Sequence, residues 1–321
     1  METKAGIGIL DSHTNEHIYF YACHENDVEL CHMELRALFG HNPESSAFME
    51  SSRKIEPNRS PFISMRLDVL FKVNGIEELA MKVKAIQLEE KTFKVVYMKS
   101  GTKRSYEEQR ELERLIGGHI SGKVDVRQPQ VMFGLLSNGD TWTIGVCHSG
   151  EAVWLKHKDK PQNYSTGLST YVARALVNIA VPETAGIKAI DPCCGMGNVL
   201  IEALSMGIDI VGRDINPLAI KGARINLRHF GYGDPNLVVI GDMNEIEERY
   251  DAAIIDMPYN LCSVLSPEER VRMLASLRRF SDRSVIVSSE RLEMDIAAAG
   301  LVIADQCTLT KGSFVRNVWL T

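Results

Sequence analysis

The chain has 321 residues, enough for two or three domains, and its 45% hydrophobic and 24% charged residues are typical of a soluble globular protein. Residues 1–60 carry 5 basic against 10 acidic side chains, residues 61–127 carry 13 against 10, and residues 128–321 carry 18 against 22. This distribution excludes a uniformly basic nucleic-acid binder. It leaves room for a local basic surface on the middle segment.

Seven cysteines form no CxxC pair, and their odd number argues against a complete disulfide framework. No apolar run approaches the ~20 residues that span a bilayer, and the N-terminus lacks the basic and apolar segments of an export signal. We therefore expect a reduced, cytoplasmic protein without a membrane segment. Cys23-His24 and Cys31-His32 match no standard zinc spacing, so no metal site is predicted.

The first 150 residues predict two small domains that meet at the polar passage SSRKIEPNRSP, near residue 60. Before that passage we expect a strand over 17–22 and a helix over 29–39. After it, periodicity predicts strands at 66–71, 93–98, 131–136 and 141–147, with helices at 76–86 and 106–116. The turn Asn138-Gly139 indicates a hairpin between the last two strands. Residues 61–150 are thus predicted to form an α+β domain.

From about Leu168 the pattern changes to alternating strands and helices, after a linker over 151–167. Such alternation predicts a mainly parallel sheet covered by helices on both faces, the α/β class with a Rossmann-like domain over 168–321. The last two predicted strands have no room for a helix between them. We expect them to form an antiparallel hairpin at one edge of this sheet.

The sequence Asp191-Pro192-Cys193-Cys194-Gly195-Met196-Gly197-Asn198 lies between the first predicted strand and helix of this domain, where open α/β sheets bind ligands. It is neither a GxGxxG fingerprint nor a P-loop. An aspartate before a G-x-G turn suits a ligand with an ammonium group. Asp214 and Asp242-Met243 end the next two strands, so the acids in order predict a nucleoside pocket in which Asp214 holds a ribose diol.

The fourth strand ends Asp256-Met257-Pro258-Tyr259, which resembles the Asp/Asn-Pro-Pro-Tyr motif of S-adenosylmethionine-dependent amino methyltransferases. The loop Asp191-Pro192-x-x-Gly195-x-Gly197 resembles the cofactor loop of those enzymes. Upstream, residues 61–150 look like a THUMP domain, and Lys160 to Thr166 look like the connection of that family into its methyltransferase domain. Most of the chain after residue 60 therefore resembles THUMP-containing tRNA guanine-N2 methyltransferases.

The resemblance implies S-adenosylmethionine as cofactor, tRNA as partner, a guanosine at position 10 or 6 as target, and a ferredoxin-like domain over residues 1–60. It requires no obligatory protein partner, whether the protein is a monomer or a homodimer. The implied cofactor-binding residues are Thr166, Asp191, Pro192, Cys193, Gly195, Gly197, Asn198, Asp214, Ile215, Asp242 and Met243. The implied catalytic residues are Asp256, Met257, Pro258 and Tyr259. Met196, Asn198 and Met257 depart from the usual pattern of the family.

Basic residues of the middle segment and the linker are the expected phosphate contacts: Lys99, Lys103, Arg104, Lys123, Arg127, Lys156 and Lys158. Two alternatives stay open. The first is an amino methyltransferase acting on ribosomal RNA or DNA. The second is an RNA-binding protein whose methyltransferase fold is catalytically idle because of Met196 and Met257.

Overall fold

The computed structural model describes residues 15–43, 45–99, 101–163, 167–258, 265–311 and 314–321. In chain order the strands are β1 (His17–Tyr21), β2 (Phe48–Ser51), β3 (Ile63–Asn74), β4 (Gln87–Tyr97), β5 (Ser121–Val124), β6 (Val131–Asn138), β7 (Thr141–Ser149), β8 (Lys188–Asp191), β9 (Asp209–Asp214), β10 (Val238–Ile240), β11 (Tyr250–Asp256), β12 (Ser281–Ser288), β13 (Asp305–Lys311) and β14 (Phe314–Leu320). The helices are α1 (Val28–Phe39), α2 (Ile76–Lys82), α3 (Tyr106–Gly117), α4 (Thr170–Ala180), α5 (Asn198–Ser205), α6 (Pro217–His229), α7 (Pro267–Phe280) and α8 (Glu293–Ala298).

The chain divides into two compact units. The described residues of the first lie within Met1–Ala22, Pro43–Asn58 and Ile63–Glu151, and those of the second within Cys23–Asn42, Arg59–Phe62 and Ala152–Thr321. The predicted separate domain over residues 1–60 does not match this division. Residues 1–60 contribute to both units instead of forming a domain of their own.

The first unit contains a sheet in the order β2-β1-β3-β7-β6-β4-β5. Strand β1 pairs antiparallel with β3, where Ile18 lies opposite Leu67, and both side chains are fully buried. The N-terminal strand thus extends the sheet of the middle segment, because burial of Ile18 requires that partner. The predicted hairpin is confirmed: β6 and β7 pair antiparallel up to Asn138 opposite Thr141.

The second unit contains a sheet in the order β10-β9-β8-β11-β12-β14-β13. Strands β8 to β12 run parallel, and β14 pairs antiparallel with both β12 and β13. The prediction of a Rossmann-like, mainly parallel sheet with an antiparallel hairpin at its edge is therefore confirmed. A core that includes Leu274 and Phe280 of α7 and Ile296 of α8 packs against this sheet.

Helix α1 belongs to the second unit through a buried polar network. The Glu34 carboxylate, fully buried, accepts hydrogen bonds from Ser60 Oγ and from Asn178 Nδ2 of α4, both at 2.5 Å. Arg59 Nε donates to Asn178 Oδ1 at 2.6 Å. Burial raises the pKa of Glu34 to about 7, and the hydrogen bonds from Asn178 and Ser60 oppose that rise. This network explains why residues 23–42 and 59–62 leave the first unit.

The described cysteines, six in number, are all free thiols. Over the described ranges, no helix combines the length and apolar character needed to cross a bilayer. Among those same residues, no three His, Cys, Asp or Glu side chains are placed to hold a metal ion.

Candidate active site

A cavity of about 330 Å³ lies in the second unit, where β8, β9 and β11 end. This is the position at which parallel α/β sheets bind ligands. Eight of the residues predicted from the sequence line it: Asp191, Cys193, Gly195, Asn198, Asp214, Asp256, Met257 and Pro258. Residues separated by more than sixty positions in the chain therefore share one cavity.

The loop after β8 is tied to the end of β9. The N–H of Gly195 donates to Asp214 Oδ2 at 2.8 Å, and the N–H of Cys193 donates to Asp191 Oδ1 at 3.2 Å. Gly195 and Gly197 have φ angles of +50° and +81°, a left-handed conformation that favours glycine. The loop therefore turns sharply into α5 while its backbone forms part of the cavity wall.

Asp214 retains acceptor capacity toward the cavity. Its Oδ1 accepts the N–H of Asn216 at 2.8 Å and its Oδ2 accepts that of Gly195, so each oxygen holds one backbone donor. A carboxylate oxygen accepts more than one hydrogen bond. Asp214 can consequently accept two further hydrogen bonds from neighbouring hydroxyl groups of a ligand.

The cavity is acidic and contains no basic side chain in its described lining. Burial raises the pKa of Asp191 well above its ordinary value, and the nearby carboxylates of Asp214 and Asp256 act in the same direction. Burial likewise raises the pKa of the Cys193 and Cys194 thiols, so neither is a ready thiolate nucleophile. A cationic ligand would offset the unfavourable charge of the buried carboxylate.

Asp256 is positioned by the strand that it ends. The N–H of Met257 donates to Val287 O at 2.8 Å, which extends the pairing of β11 with β12 by one residue. The Met257 side chain is 2% exposed and packs in the core. The methionine that departs from the family pattern therefore fills space in the interior. Arg316 of β14, which the sequence analysis missed, lies with Nη2 4.0 Å from Asp256 Oδ2.

Bulk at Met196 is accommodated by Gly222 of α6. A Cβ atom at position 222 would lie only 2.2 Å from Met196 Sδ, so the thioether occupies the space that the glycine leaves free. Met196 lines the cavity, but its side chain packs against α6 at Gly222. The larger residue at position 196 is therefore accommodated by the small residue at position 222, which follows it by 26 positions.

Other predicted residues lie elsewhere. Asp242 caps the turn Met243–Glu245 by accepting the N–H of Asn244 at 2.9 Å. Met243 is 3% exposed, with Sδ 3.9 Å from Cys193 Sγ, behind the loop. Ile215 is 71% exposed, and Gly197 serves as the N-cap of α5. Pro192 is buried next to Asp191, and Thr166 and Tyr259 lie outside the described residues.

The predicted phosphate contacts are divided between the units. Lys99, Lys103, Lys123 and Arg127 of the first unit are exposed, as are Lys156 and Lys158 of the second. Arg104 is half-buried, with its guanidinium 5.1 Å from the centre of the Trp142 ring. The cation–π contact already occupies Arg104, so its availability to an outside anion is lower than its charge suggests.

Parts of the chain are similar to known proteins. Residues 158–276 match the family model described as UPF0020, RMKL-like, methyltransferase domain. The chain is 31% identical over 174 residues to a tRNA (guanine(10)-N2)-dimethyltransferase of Methanothermobacter thermautotrophicus, a match that covers 51% of each protein. It is 26% identical over 197 residues to the human U6 snRNA (guanine-N(2))-methyltransferase THUMPD2, covering 56% of this chain and 38% of that protein.

Among solved structures, TrmN from Thermus thermophilus is similar with a TM-score of 0.47 and 15% identity, over 95% of this chain and 98% of that one. The chain spans about half the length of the first two curated relatives that it matches. The resemblance to guanine-N2 methyltransferases is thus confirmed, and residues 158–276 carry the methyltransferase match.

Proposed function

We propose that this protein transfers a methyl group from S-adenosylmethionine to the exocyclic N2 amine of a guanosine in tRNA. The observation that carries the proposal is the convergence of Asp191, Asp214 and Asp256 on one cavity at the carboxyl end of a parallel sheet. Each acid has a separate use for such a reaction. The curated relatives whose names include guanine-N2 methylation support the choice of amine.

The residues of the cavity fit this cofactor. It supplies an electrophilic methyl group when bound. Asp191 would pair with its ammonium group, which offsets the burial that otherwise raises the pKa of this carboxyl. Asp214 would accept the ribose hydroxyls, since both of its oxygens retain acceptor capacity. The backbone of Gly195 would lie against the ligand without a side chain between them.

Asp256 would orient the base. An exocyclic amine is a poor nucleophile, because its lone pair is conjugated with the ring. Accepting the amine hydrogens at the Asp256 carboxylate and the Met257 carbonyl would turn that lone pair toward the methyl group, and Asp256 would accept the proton released. Tyr259 would stack on a base taken out of its helix. Oriented attack of this kind can contribute roughly 7–11 kcal/mol.

We propose further that the described middle segment, 61–150, acts as a THUMP-type RNA-binding module. The exposed Lys99, Lys103, Lys123 and Arg127 would contact phosphates in a cytoplasmic enzyme. Lys156 and Lys158 would do the same from the second unit. Half-buried Arg104 would contact phosphates more weakly, because its guanidinium already lies over the Trp142 ring.

Radiolabelled methyl transfer tests the function. The full chain is incubated with labelled S-adenosylmethionine and, separately, unmodified tRNA, ribosomal RNA and DNA, and labelled nucleosides are identified by mass spectrometry. The proposal requires N2-methylated guanosine from tRNA. Label in adenine or cytosine, or in ribosomal RNA or DNA alone, would contradict it, and cofactor binding without transfer to any of the three would indicate an idle fold.

A further inference from the structure

Helix α6 carries a basic row that no acidic residue of the same helix balances. Lys221, Arg224 and Arg228 follow one another at three- and four-residue spacing, so they lie along one side of the helix. Successive residues of the row are separated by about 4.5 and 6 Å along the helix axis. The helix Pro217–His229 contains no Asp or Glu. In the described part of the chain, no carboxylate lies within ion-pairing distance of any of the three.

This arrangement is unfavourable in the isolated protein. Like charges at i and i+4 destabilise a helix by roughly 0.2–0.5 kcal/mol, and Arg224 and Arg228 form such a pair. Lys221 and Arg228 are exposed. Arg224 is half-buried, and its Nη2 donates to Val238 O at 3.0 Å. Arg224 is therefore anchored, while the other two cations are directed to solvent.

Concave surfaces flank the row on both sides. A depression of about 330 Å³ has Ile225 and Ile240 in its lining, and one of about 390 Å³ has Tyr232 in its lining. Arg224 and Arg228 border both depressions. Asp234 is the acid of the second depression, and its carboxylate accepts the N–H of Asn236 at 2.8 Å. A ridge of cations between an apolar hollow and an aromatic one suits phosphates with bases or sugars on either side.

The row begins one helical turn from the candidate active site. Leu218 lines the active-site cavity, and Lys221 follows it by three residues on the same helix. An RNA strand whose target base enters that cavity could thus continue along α6. An acidic protein surface would satisfy the charges alone but would leave the two hollows unused.

We propose that the α6 basic row (Lys221, Arg224 and Arg228) binds the phosphate backbone of the RNA substrate beside the target nucleotide. This inference rests on the proposed function and adds a contact surface to it. Arg224 fixes the middle of the row, and Lys221 and Arg228 neutralise phosphates on either side of it.

The test uses the full chain and the variant Lys221→Ala/Arg228→Ala. The matched control is Arg272→Ala/Arg278→Ala, which removes the same charge from exposed positions of α7. Binding of an unmodified transcribed tRNA is measured against salt, together with kcat and KM for methyl transfer and calorimetric binding of S-adenosylhomocysteine. We expect about tenfold weaker tRNA binding at low salt, and a log–log salt slope flatter by about 0.7–0.9 for each phosphate contact removed.

The control should bind tRNA like wild type, and all proteins should bind S-adenosylhomocysteine equally. A wild-type salt slope and KM in the α6 variant would overturn the proposal, as would equal loss in the control or no binding of tRNA by the wild-type chain. Competition by polyglutamate as effective as that by tRNA would assign the row to an acidic protein and overturn it too. If tRNA binding depends on the α6 basic row but no methyl transfer occurs, the proposed function is contradicted and the proposed RNA contact is supported.

Discussion

The guanidinium of Arg316 lies with Nη2 4.0 Å from Oδ2 of Asp256, across the pairing of β14 with β12 and of β12 with β11. The two side chains are 14% and 18% exposed, so water screens their attraction only in part. A cation at this distance attracts the Asp256 carboxylate and restricts its orientation. Arg316 is thus placed to position the carboxylate that we assign to the target amine.

Replacing Arg316 should therefore reduce the rate of transfer more than substrate binding. We expect Arg316→Ala to lower kcat by about 10- to 100-fold with little change in KM, since the lost orientation matters most at the transition state. Arg316→Lys keeps the charge and should recover part of the rate. A merely structural role would instead lower the thermal stability of both variants and leave kcat of the folded fraction unchanged.

Removal of Asp214 should weaken cofactor binding. Asp214→Ala deletes a charged acceptor, which is worth roughly 1.5–3 kcal/mol, or about 10- to 150-fold in the dissociation constant. Asp209 at the opposite, exposed end of β9 provides the control, and Asp209→Ala should bind S-adenosylhomocysteine like wild type. Titration calorimetry measures both. Equal affinity of Asp214→Ala and wild type would remove Asp214 from the proposed diol site.

A methyl group at position 222 should displace Met196 into the cavity. The Cβ of Gly222→Ala would meet Met196 Sδ at 2.2 Å, and the flexible thioether is the part that can move. We expect S-adenosylhomocysteine to bind about tenfold more weakly, without loss of folding, because alanine favours a helix interior by about 1 kcal/mol over glycine. The double variant Gly222→Ala/Met196→Ala should regain affinity. If it stays as weak as the single variant, Met196 is not the coupled residue.

The buried Glu34 should make the stability of the second unit depend on pH. Its pKa is raised from 4.5 to about 7, so the stability it contributes is present in full below pH 4.5 and is lost as the pH rises through about 7. Glu34→Gln cannot ionise and should lose less stability than wild type between pH 5.5 and 8, by about 2 kcal/mol. Urea unfolding measures this difference. Exposed Glu25→Gln should show none, and parallel curves for Glu34→Gln and wild type would place the titration elsewhere.

The sequence predicted the second unit well because local signals there agree with tertiary structure. Alternating strands and helices define a parallel sheet, and residues at the strand ends must then meet at one edge. Asp191 and Asp214 follow from that rule, and Asp256 follows from the rule together with the resemblance of the motif that it begins. The polar passage near residue 60, by contrast, predicted that residues 1–60 form a domain of their own, whereas they are divided between the two units.

What the sequence could not provide was the partner of each element. The apolar periodicity of α1 identifies a helix but not the unit on which it packs, and that choice depends on Glu34 meeting Ser60 and Asn178. Similarly, nothing local connects Arg316 with Asp256, or Gly222 with Met196. Asp242 resembles Asp214 in sequence, and each carboxylate accepts the N–H two residues ahead of it, yet Asp214 lines the cavity and Asp242 does not.

In the proposed function, Asp256 carries out the transfer chemistry. Asp256→Ala should lose methyl transfer to tRNA while binding of tRNA and of S-adenosylhomocysteine persists, because the carboxylate acts at the transition state. Asp256→Asn separates two roles. Its amide oxygen still accepts a hydrogen bond but takes up a proton poorly, so activity in this variant would favour orientation and its loss would favour proton removal.

The most direct measurement is the single-turnover rate of methyl transfer to tRNA by Asp256→Ala, with folding verified by circular dichroism. If Asp256 acts in the transfer step, the rate should be at least about 100-fold below wild type, the lower end of what a positioned acid–base group contributes. A folded Asp256→Ala protein that methylates tRNA at the wild-type rate would contradict that role.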